Sequence, residues 1–586
     1  AVGARTTVHA NGNPVVPHRT PVREGDWVGQ DLHVEARRGE PMTFDKVATL
    51  FTTRDAAMES PGVQALRTLP RLGSFEDLQR GHVIAWRHLW SRFGVEVEGR
   101  EDAMQILRLH LMHVLQTLSP HTAELDAGVP ARGLHGEAYR GHIFWDEVFV
   151  FPLLNLRMPR VTRSLLLYRY RRLPEARHAA AAAGFRGAMF PWQSGSDGRE
   201  ETQHIHLNPL SGRWNPDPTF RQRHVGIAIA YNVWQYHQAT DDLDFLANHG
   251  AEMLLEIARF WASIASFDRI RDRYVINGVM GPDEFHTGYP GADGDGVNNN
   301  DYTNVMEALV ILRALDALDM LPDTTGIELR ERLGITAEEL EQWLDISHRM
   351  YVPFHDGVIS QFEGYGQLEE LDWEGYRSRY GDVQRLDRIL EAEGLSPNRY
   401  KLSKQADVLM LFYLLSADEL RELFERLGHD LTPETMAATF DYYEARSTHG
   451  STLSAVVHSW VLARSQRERA LQFFEQALIS DVADVQGGTT REGIHLAAMA
   501  GTVDLLQRCF SGLEVRGEQL TLNPHWPASL GTLTFSIQYR DVPLTLQISA
   551  DEVEVAAGPG LKRPITVSCH DEVTVLSGGA RAVFHL

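Results

Sequence analysis

One short segment places the carboxylic acid of a glutamate on a turn that glycine and proline make rigid. The segment covers residues 278–286, and its acid is Glu284. Pro282 fixes its own φ, and the glycines permit backbone conformations that other residues avoid. A carboxyl held there against Phe285 would be shielded from water, which favours the protonated form that a general acid needs. The alternative is an ordinary solvated glutamate in a surface loop, since Gly, Pro and Asp are common in turns.

Two further segments combine glycines with hydroxyl side chains ahead of an apolar, helix-forming stretch. They are Ser-Thr-His-Gly-Ser-Thr-Leu-Ser at residues 447–454 and Gly-Gly-Thr-Thr-Arg-Glu-Gly-Ile-His at residues 487–495. Hydroxyls and backbone N–H groups at a helix N-terminus form an anion site. Taken alone, the simpler interpretation of these Ser and Thr residues as N-caps is favoured. Two such helix openings that converged could hold one phosphate.

A third set of residues has the chemistry to hold a sugar. The carboxylate of Asp146 can accept from two sugar hydroxyls, and Lys404 and Gln405 can donate to others. The indole of Trp145 can cover an apolar sugar face. By residue type alone, Trp145 is equally well explained as a core aromatic side chain.

The elements that must position these residues are predicted to be helices. Across residues 98–512, apolar side chains recur at helical spacing, and no alternation of strands and helices interrupts them. This pattern predicts a large all-α domain of helical hairpins closed into a ring. The segments with helical spacing are residues 103–118, 225–238, 251–267, 305–318, 408–415, 455–464 and 493–508.

The two ends of the chain follow other patterns. Residues 1–54 are rich in strand-forming side chains, whereas residues 55–97 have helical spacing and are predicted to link the strands to the helical domain. After residue 513 the apolar side chains alternate again, which predicts a small antiparallel β domain over residues 513–586. The chain begins Ala-Val-Gly without Met, and so few N-terminal strands cannot make a stable sheet alone, so we expect a truncated or cleaved N-terminus.

The motifs together resemble glycoside hydrolase family 65. The resemblance spans roughly residues 40–586, and the matching segments occur in the family's order. That family contains inverting phosphorylases of maltose, trehalose, kojibiose and related α-glucosides, with a minority of hydrolases. The segments that carry the resemblance are residues 132–146, 278–286, 298–304, 404–407, 447–454 and 487–495.

The resemblance implies a fold and a set of roles. The helical domain would be an (α/α)6 barrel, and residues 1–54 would be the last strands of an incomplete N-terminal β-sandwich. Glu284 would be the catalytic acid, and Trp145, Asp146, Lys404 and Gln405 would hold the glucose. The phosphate would be bound by Ser451, Thr452 and His495, with His449 and Thr489 as further candidates. Residues 449–452 are His-Gly-Ser-Thr, where many members have His-Asp-Ser-Ser.

The expected activity is inverting phosphorolysis of an α-glucosidic disaccharide to β-glucose 1-phosphate and a released sugar. Inversion needs an acid on the departing oxygen and a nucleophile on the opposite face of the ring. A hydrolase of the same fold is the alternative, and it would need a carboxylate base, for which Glu444 and Glu492 are the candidates nearest in sequence. A non-catalytic carbohydrate-binding protein is the third hypothesis, and the intact segment around Glu284 argues against it.

Composition limits the other functional classes. At 586 residues two or three domains are expected, and a net charge of −23 disfavours nucleic acids and anionic membranes as partners. The two cysteines, Cys509 and Cys569, fit a reducing compartment, so a cytoplasmic location is predicted. No metal is predicted, because residues 293–298 lack the ligand spacing of an EF-hand. Inorganic phosphate would be a co-substrate rather than a cofactor, and the resemblance implies a homodimer.

Overall fold

The computed structural model describes residues 1–405, 407–560 and 563–586. Ala406, within the predicted glucose-binding segment 404–407, lies outside the described residues. The chain divides into two compact units, Ala1–Arg92 and Phe93–Leu586. None of the helices in the described parts of the chain has the length and apolarity that crossing a bilayer requires.

The first unit begins with antiparallel strands. Val2–Ala10 pairs along its whole length with Met42–Leu50, and Val8 is buried on one face of this pair and Val47 on the other. Asn13–Val15 extends the same sheet, while His18–Glu24 and Trp27–His33 form a separate two-stranded ribbon. Helices follow at Pro61–Thr68 and Phe75–Phe93, in the region where the sequence predicts helices.

The second unit contains the (α/α)6 barrel. Among the described residues, six inner helices contact one another in sequence and close a ring, because the last of them packs against the first. Two of the inner helices, Glu147–Asn155 and Leu496–Asp504, are buried at every position. The inner helices are Glu147–Asn155, Val225–Thr240, Asp301–Met320, Leu409–Leu414, Thr452–Leu462 and Leu496–Asp504.

Outer helices alternate with the inner ones along the chain and pack against them. Their apolar stripes face the ring, as Met253, Ile257 and Trp261 do in Ala251–Ile264. The outer helices are Glu101–Thr117, Pro159–Arg171, Ala251–Ile264, Ala337–Arg349, Ala417–Arg426 and Arg467–Ile479. Further helices in the connections are Leu173–Ala182, Leu243–Phe245, Asp323–Leu333, Trp373–Tyr380, Leu386–Ala392 and Pro433–Glu444.

The predicted helices differ at their ends from the observed ones, and the cause is visible for two of them. The helix predicted over residues 251–267 ends at Ile264, because Ser266–Asp268 forms a hairpin with Arg273–Val275. The helix predicted from residue 493 starts at Leu496, because Gly493 has φ +116°, which no helix accommodates. Leu496–Asp504 then continues into a wider π turn over Leu505–Phe510.

Two sheets end the chain. The predicted alternation is clear in Leu533–Tyr539, Val542–Ile548 and Glu552–Ala557, whereas Glu572–Leu576 departs from it because Val573 and Val575 are exposed. One sheet has the order Arg581–His585, Glu552–Ala557, Val542–Ile548, Leu533–Tyr539 and Val95–Val97. The other has the order Leu513–Arg516, Gln519–Leu522, Ile565–Cys569 and Glu572–Leu576, in which the middle pair is parallel.

The strand at Val95–Val97 falls inside the segment predicted to be a helical linker. Val95 and Val97 are buried and Glu96 is exposed, which is strand periodicity too short to stand out in the sequence. It pairs with Leu533–Phe535, so residues just ahead of the barrel form one edge of the C-terminal sheet.

Candidate active site

The candidate site is a cavity of about 960 Å³ in the second unit, at the N-terminal ends of inner helices. Three of its lining residues, Asp146, Ser451 and His495, are N-caps of inner helices. The structure therefore brings together segments that are far apart in sequence. The predicted site residues that line the cavity are Trp145, Asp146, Glu284, Lys404, Gln405, Ser451, Thr452, Thr489 and His495.

Glu284 enters the cavity from a strained turn. Its φ is +63°, a left-handed value that is uncommon for a residue other than glycine and that is typical of functional sites. Lys404 Nζ donates to Oε2 at 2.6 Å, and Gln405 Nε2 donates to Oε1 at 3.2 Å. Gln405 Nε2 also donates to the carbonyl of Pro282 at 2.5 Å, which fixes the turn and the carboxyl together.

The carboxyl of Glu284 is only partly shielded from water. Its side chain keeps 22% exposure, and Phe285 instead packs in a buried cluster with Leu371 and Leu386. Burial against Phe285, expected from the sequence, is therefore incomplete in the free protein. A sugar that filled the cavity would remove the remaining water from this carboxyl.

A buried pair beside the acid holds the loop in place. Asp283 Oδ2 lies 2.6 Å from His286 Nδ1, and His286 Nε2 lies 3.0 Å from the carbonyl oxygen of Tyr400. Farther along, the side chain of Asn398 accepts from the Thr287 N–H at 2.9 Å and donates to Asp293. These contacts tie the loop to the segment around residue 400, so the position of Glu284 depends on both.

Trp145 and Asp146 form another part of the wall. The Trp145 ring is buried, with edge-to-face contacts to His224 at 4.8 Å and Phe149 at 6.1 Å between ring centroids. Trp145 thus belongs to the core and also borders the cavity. Burial, with a smaller contribution from the charge of Glu284, raises the pKa of Asp146 to about 6.

Ser451 and Thr452 open the inner helix Thr452–Leu462. The Ser451 hydroxyl accepts from the Leu453 N–H at 3.3 Å, as an N-cap does. Its own hydrogen remains available to donate toward the cavity. The N-cap and anion-site interpretations are therefore compatible here. Thr448 Oγ1 donates to the carbonyl of Gln384 at 3.2 Å, which anchors the preceding loop.

The second hydroxyl-rich segment contributes side chains rather than a free helix start. The His495 N–H donates to Asp481 Oδ2 at 2.8 Å, and the Leu496 N–H donates to the Ala131 carbonyl at 3.3 Å. His495 Nδ1 also lies 2.9 Å from Asp481 Oδ1. Burial alone would raise the pKa of Asp481, but the hydrogen bonds from His495 and Thr490 hold it below its usual value. Asp481 thereby orients the His495 ring.

Two buried donors in this region lack a partner. Within the described residues, neither Thr489 Oγ1 nor Arg132 Nε has a hydrogen bond, although both atoms are buried. Arg132 Nη1 is held by the carbonyls of Thr489 and Gly493, at 3.2 and 2.7 Å. Unsatisfied buried donors are costly, so these atoms mark a place suited to an acceptor such as a phosphate oxygen.

His449 is placed differently from the expectation. It is absent from the cavity lining, and its Nδ1 lies 2.8 Å from Ser454 Oγ. Its ring contacts those of His458 and Phe473, at 4.7 and 5.6 Å between centroids, and burial lowers its pKa. A φ of +52° turns His449 away from the neighbouring Gly450 and Ser451, which do line the cavity.

Helix N-termini give the cavity a favourable field for anions. The partial positive charge of an inner helix lies at its N-terminus, beside Asp146, Ser451 or His495. This local field and the side-chain donors act against the repulsion that a net charge of −23 exerts on a phosphate.

The two candidate bases differ in position. Glu444 is paired with Arg469 and is absent from the cavity lining, whereas Glu492 lines the cavity with an exposed side chain. Of the two, the structure places only Glu492 where it could activate a water molecule. Within the described residues, no group of three or more His, Cys, Asp and Glu is arranged to hold a metal ion.

Several cavity residues were missed by the sequence analysis. Arg132 and Tyr139 lie in the segment 132–146 that carries the family resemblance, so a signal was present there. Arg385 and Arg388 lie in a segment without a recognisable motif, and only the fold brings them to the cavity.

The comparisons with known proteins agree with this architecture. Residues 108–504 match the glycosyl hydrolase family 65 central catalytic domain. Residues 513–576 match the C-terminal domain of that family, and residues 1–89 match its N-terminal domain. The chain belongs to glycosyl hydrolase family 65. The family assignment predicted from the motifs is therefore confirmed, as is the (α/α)6 barrel with flanking β regions.

Individual relatives include phosphorylases. The chain is 36% identical to a trehalose 6-phosphate phosphorylase of Lactococcus lactis, over 95% of this chain and 71% of that protein. It is 33% identical to a kojibiose phosphorylase of Caldanaerobacter subterraneus, over 91% of this chain and 67% of that protein. It is 57% identical to an uncharacterized glycosyl hydrolase of Mycobacterium tuberculosis, covering 99% of this chain but only 44% of the relative's length.

A solved structure shows the same fold. A protein from the human microbiome, provisionally assigned as a kojibiose phosphorylase, superposes with a TM-score of 0.78. The match covers 100% of this chain and 74% of that one at 22% sequence identity. At this identity the likeness establishes the fold.

Proposed function

We propose that this family 65 protein is an inverting phosphorylase of α-glucosidic disaccharides. The observation that supports this most is the pairing of one acid, Glu284, with a set of anion donors in the same cavity. The donors are hydroxyls at a helix N-terminus, the His495 ring and the unpartnered groups of Thr489 and Arg132 within the described residues. The relatives named as phosphorylases of trehalose 6-phosphate and kojibiose support the same reaction class.

In the proposed reaction, Glu284 donates its proton to the glycosidic oxygen as the bond from that oxygen to the anomeric carbon breaks. An oxygen of hydrogen phosphate attacks the anomeric carbon from the opposite face and forms the new bond, which inverts the configuration. The products are β-glucose 1-phosphate and the departing sugar with its restored hydroxyl. The proton carried by hydrogen phosphate returns to the Glu284 carboxylate, so the cycle closes without a second carboxylate.

The surrounding residues have supporting roles in this proposal. Lys404 and Gln405 hold the carboxyl of Glu284 before substrate binds, and they can turn to sugar hydroxyls when it does. Asp146 and Trp145 would hold and cover the glucose ring. Asp481 would fix the His495 ring so that its other nitrogen faces the phosphate.

A hydrolase remains the second candidate, because Glu492 lines the cavity. A carboxylate base would activate water in place of the phosphate nucleophile. The comparison of two variants separates these mechanisms, since Glu284→Gln removes the acid and Glu492→Gln removes the candidate base.

We expect Glu284→Gln to lower kcat by about 10²- to 10⁴-fold, as the loss of a general acid does, and Glu492→Gln to change it less than about threefold. Initial rates of sugar release from a panel of α-glucosidic disaccharides, with and without phosphate, provide the measurement. Near-normal activity of Glu284→Gln would show that the acid is misassigned. Loss of activity in Glu492→Gln to the same extent would favour hydrolysis.

A further inference from the structure

A buried asparagine close to the turn that carries the candidate acid has no role in the proposed reaction. Asn300 is the N-cap of the inner helix Asp301–Met320, and its side-chain oxygen accepts from the N–H and the hydroxyl of Thr303, at 3.0 and 2.9 Å. Its amide nitrogen donates to the Gln361 carbonyl at 3.1 Å and to Asp407 Oδ2 at 3.3 Å. Two acceptor and two donor contacts use the whole amide, which fixes the end of it that faces Asp407.

Asn300 and Asp407 both touch the turn of residues 281–284. A Cβ added at Gly281 would lie 2.4 Å from Asn300 Nδ2 and 2.5 Å from Asp407 Oδ2, so a glycine is needed where the turn packs on these two side chains. The backbone N–H of Asp283 also interacts with the Asp407 carboxylate and favours its charged form. The pair therefore contacts the backbone of the turn at two places close to the acid.

Asp407 belongs to the segment that also holds the acid itself. Lys404 and Gln405 bind the carboxyl of Glu284, and Gln405 binds the carbonyl of Pro282 as well. Asp407 follows Gln405 by two residues and adds a contact to the backbone of the same turn. One segment thus fixes both the backbone of the turn and the carboxyl that it presents.

Asp407 depends on these few donors. Within the described residues no cation forms an ion pair with it, and its side chain is buried. Burial, with the charges of Asp301 and Asp283, raises the pKa of Asp407, whereas the Asn300 amide and the Asp283 N–H oppose this rise. A buried acceptor that loses one of its donors is costly, so the contact with Asn300 constrains both side chains.

We propose that Asn300 and Asp407 are positioning residues for Glu284, because their contact holds the turn in the conformation that directs the acid into the cavity. The left-handed φ of +63° at Glu284 needs such support, since strained backbone persists only where the surrounding structure enforces it. Neither residue lines the cavity, so neither is assigned to the substrate. The inference rests on the part of the proposed function that makes Glu284 the acid.

An exchange of amide for carboxylate tests the contact while keeping its shape. Asn300→Asp keeps the helix cap but places an acceptor opposite the Asp407 carboxylate and the Gln361 carbonyl. We expect kcat for sugar release to fall about 10- to 100-fold, as it does when a catalytic group is displaced, with the KM for phosphate changed less than about threefold. Adding Asp407→Asn should restore most of the lost rate, because the amide and the carboxylate then exchange places.

Asn304→Asp is the matched control. Asn304 is buried in the same helix, and its amide donates to the Tyr351 carbonyl at 2.8 Å and to Asn299 Oδ1 at 3.1 Å, neither of which belongs to the turn. This variant also buries an added carboxylate, so it should lose thermal stability but keep kcat within about threefold. Asn300→Ser tests the contact without a new charge, because serine caps the helix but is too short to bind Asp407, and kcat should fall about tenfold.

Each outcome decides a separate point. Near-normal kcat in folded Asn300→Asp or Asn300→Ser would overturn the inference. Equal losses of kcat in Asn300→Asp and Asn304→Asp would overturn it too, as would a double variant no faster than Asn300→Asp. A hydrolase would also use Glu284 as its acid, so sugar release tests these residues in either reaction. Release that does not depend on phosphate in the wild-type protein would contradict the phosphorylase proposal and leave this inference standing.

Discussion

At the scale of single residues, hydrogen-bond partners hold most of the side chains of the site in position. Glu284 is held by Lys404 and Gln405, His495 by Asp481, and Arg132 by two backbone carbonyls. Asp146 is the exception, since no side chain of opposite charge among the described residues forms an ion pair with it and burial dominates its titration. It is therefore the residue whose ionisation should be visible in activity.

We predict that kcat/KM for the disaccharide falls as the pH drops below about 6. Burial raises the pKa of Asp146 to about 6, so the carboxylate that we propose accepts sugar hydroxyls is lost by protonation below that pH. The measurement is a pH profile at saturating phosphate, so that phosphate ionisation does not dominate it. Asp146→Asn should bind the sugar less tightly and lack this inflection.

An unchanged inflection in Asp146→Asn would show that another group titrates near pH 6. Since kcat/KM reports the free protein, the profile should be compared with that of kcat, which reports the bound state.

Residue type and spacing made Glu284 a candidate, because glycine and proline around it form a rigid turn, but an ordinary surface loop explained the pattern equally well. The family resemblance supplied the expected roles of Glu284 and of the other predicted residues, and the structure places nine of them around one cavity. Arg385 and Arg388 could not be predicted as cavity residues, because arginines beside acidic residues are also typical of a solvated helix surface. The sequence does not show how the chain turns at Gly450, so it could not reveal that His449 lies outside the cavity lining.

At the scale of elements, the loop 487–495 forms much of the proposed phosphate site. Gly493 has φ +116°, and a Cβ there would lie 2.7 Å from the Arg132 Cβ. Gly487, in the same loop, has φ +67°, but a Cβ added there would meet no atom within 4 Å among the described residues. Substitutions at these two glycines therefore separate the effect of a steric clash from the effect of backbone strain.

We predict that Gly493→Ala raises the KM for phosphate by about tenfold or more, because the new methyl group displaces Arg132 and the strained backbone adds about 1–3 kcal/mol. Gly487→Ala should cost about 1 kcal/mol of strain and have a smaller effect on that KM. Phosphate titrations of both variants, with thermal unfolding as the check on folding, provide the measurement. Equal KM values for phosphate in Gly493→Ala and the wild-type protein would show that this loop does not bind phosphate.

The presence of helices could be predicted from periodicity, but the residues at which the helices end could not. The stripe of Ala251–Ile264 was identifiable, yet its end depended on a hairpin formed with Arg273–Val275. The strand at Val95–Val97 depended on pairing with Leu533–Phe535, far away in the sequence, which no local pattern reveals. Local sequence patterns do not determine such non-local pairings.

At the scale of the whole chain, the barrel provides a local environment that favours anions in a protein of negative net charge. The protein has a net charge of −23, yet its proposed nucleophile is an anion. Inner helices direct their N-termini toward one cavity, and side-chain donors from separate segments meet there. The periodicity predicted a large all-α domain, and the family resemblance supplied the barrel and its convergence on one site, because amphipathicity alone does not order the helices.

The most direct test follows the fate of the anomeric carbon by NMR. A panel of α-glucosidic disaccharides is incubated with the protein in phosphate buffer and in phosphate-free buffer. The account predicts β-glucose 1-phosphate as the first product in phosphate buffer and no sugar release without phosphate. Release of glucose at the same rate in both buffers, or formation of the α-anomer of glucose 1-phosphate, would contradict it.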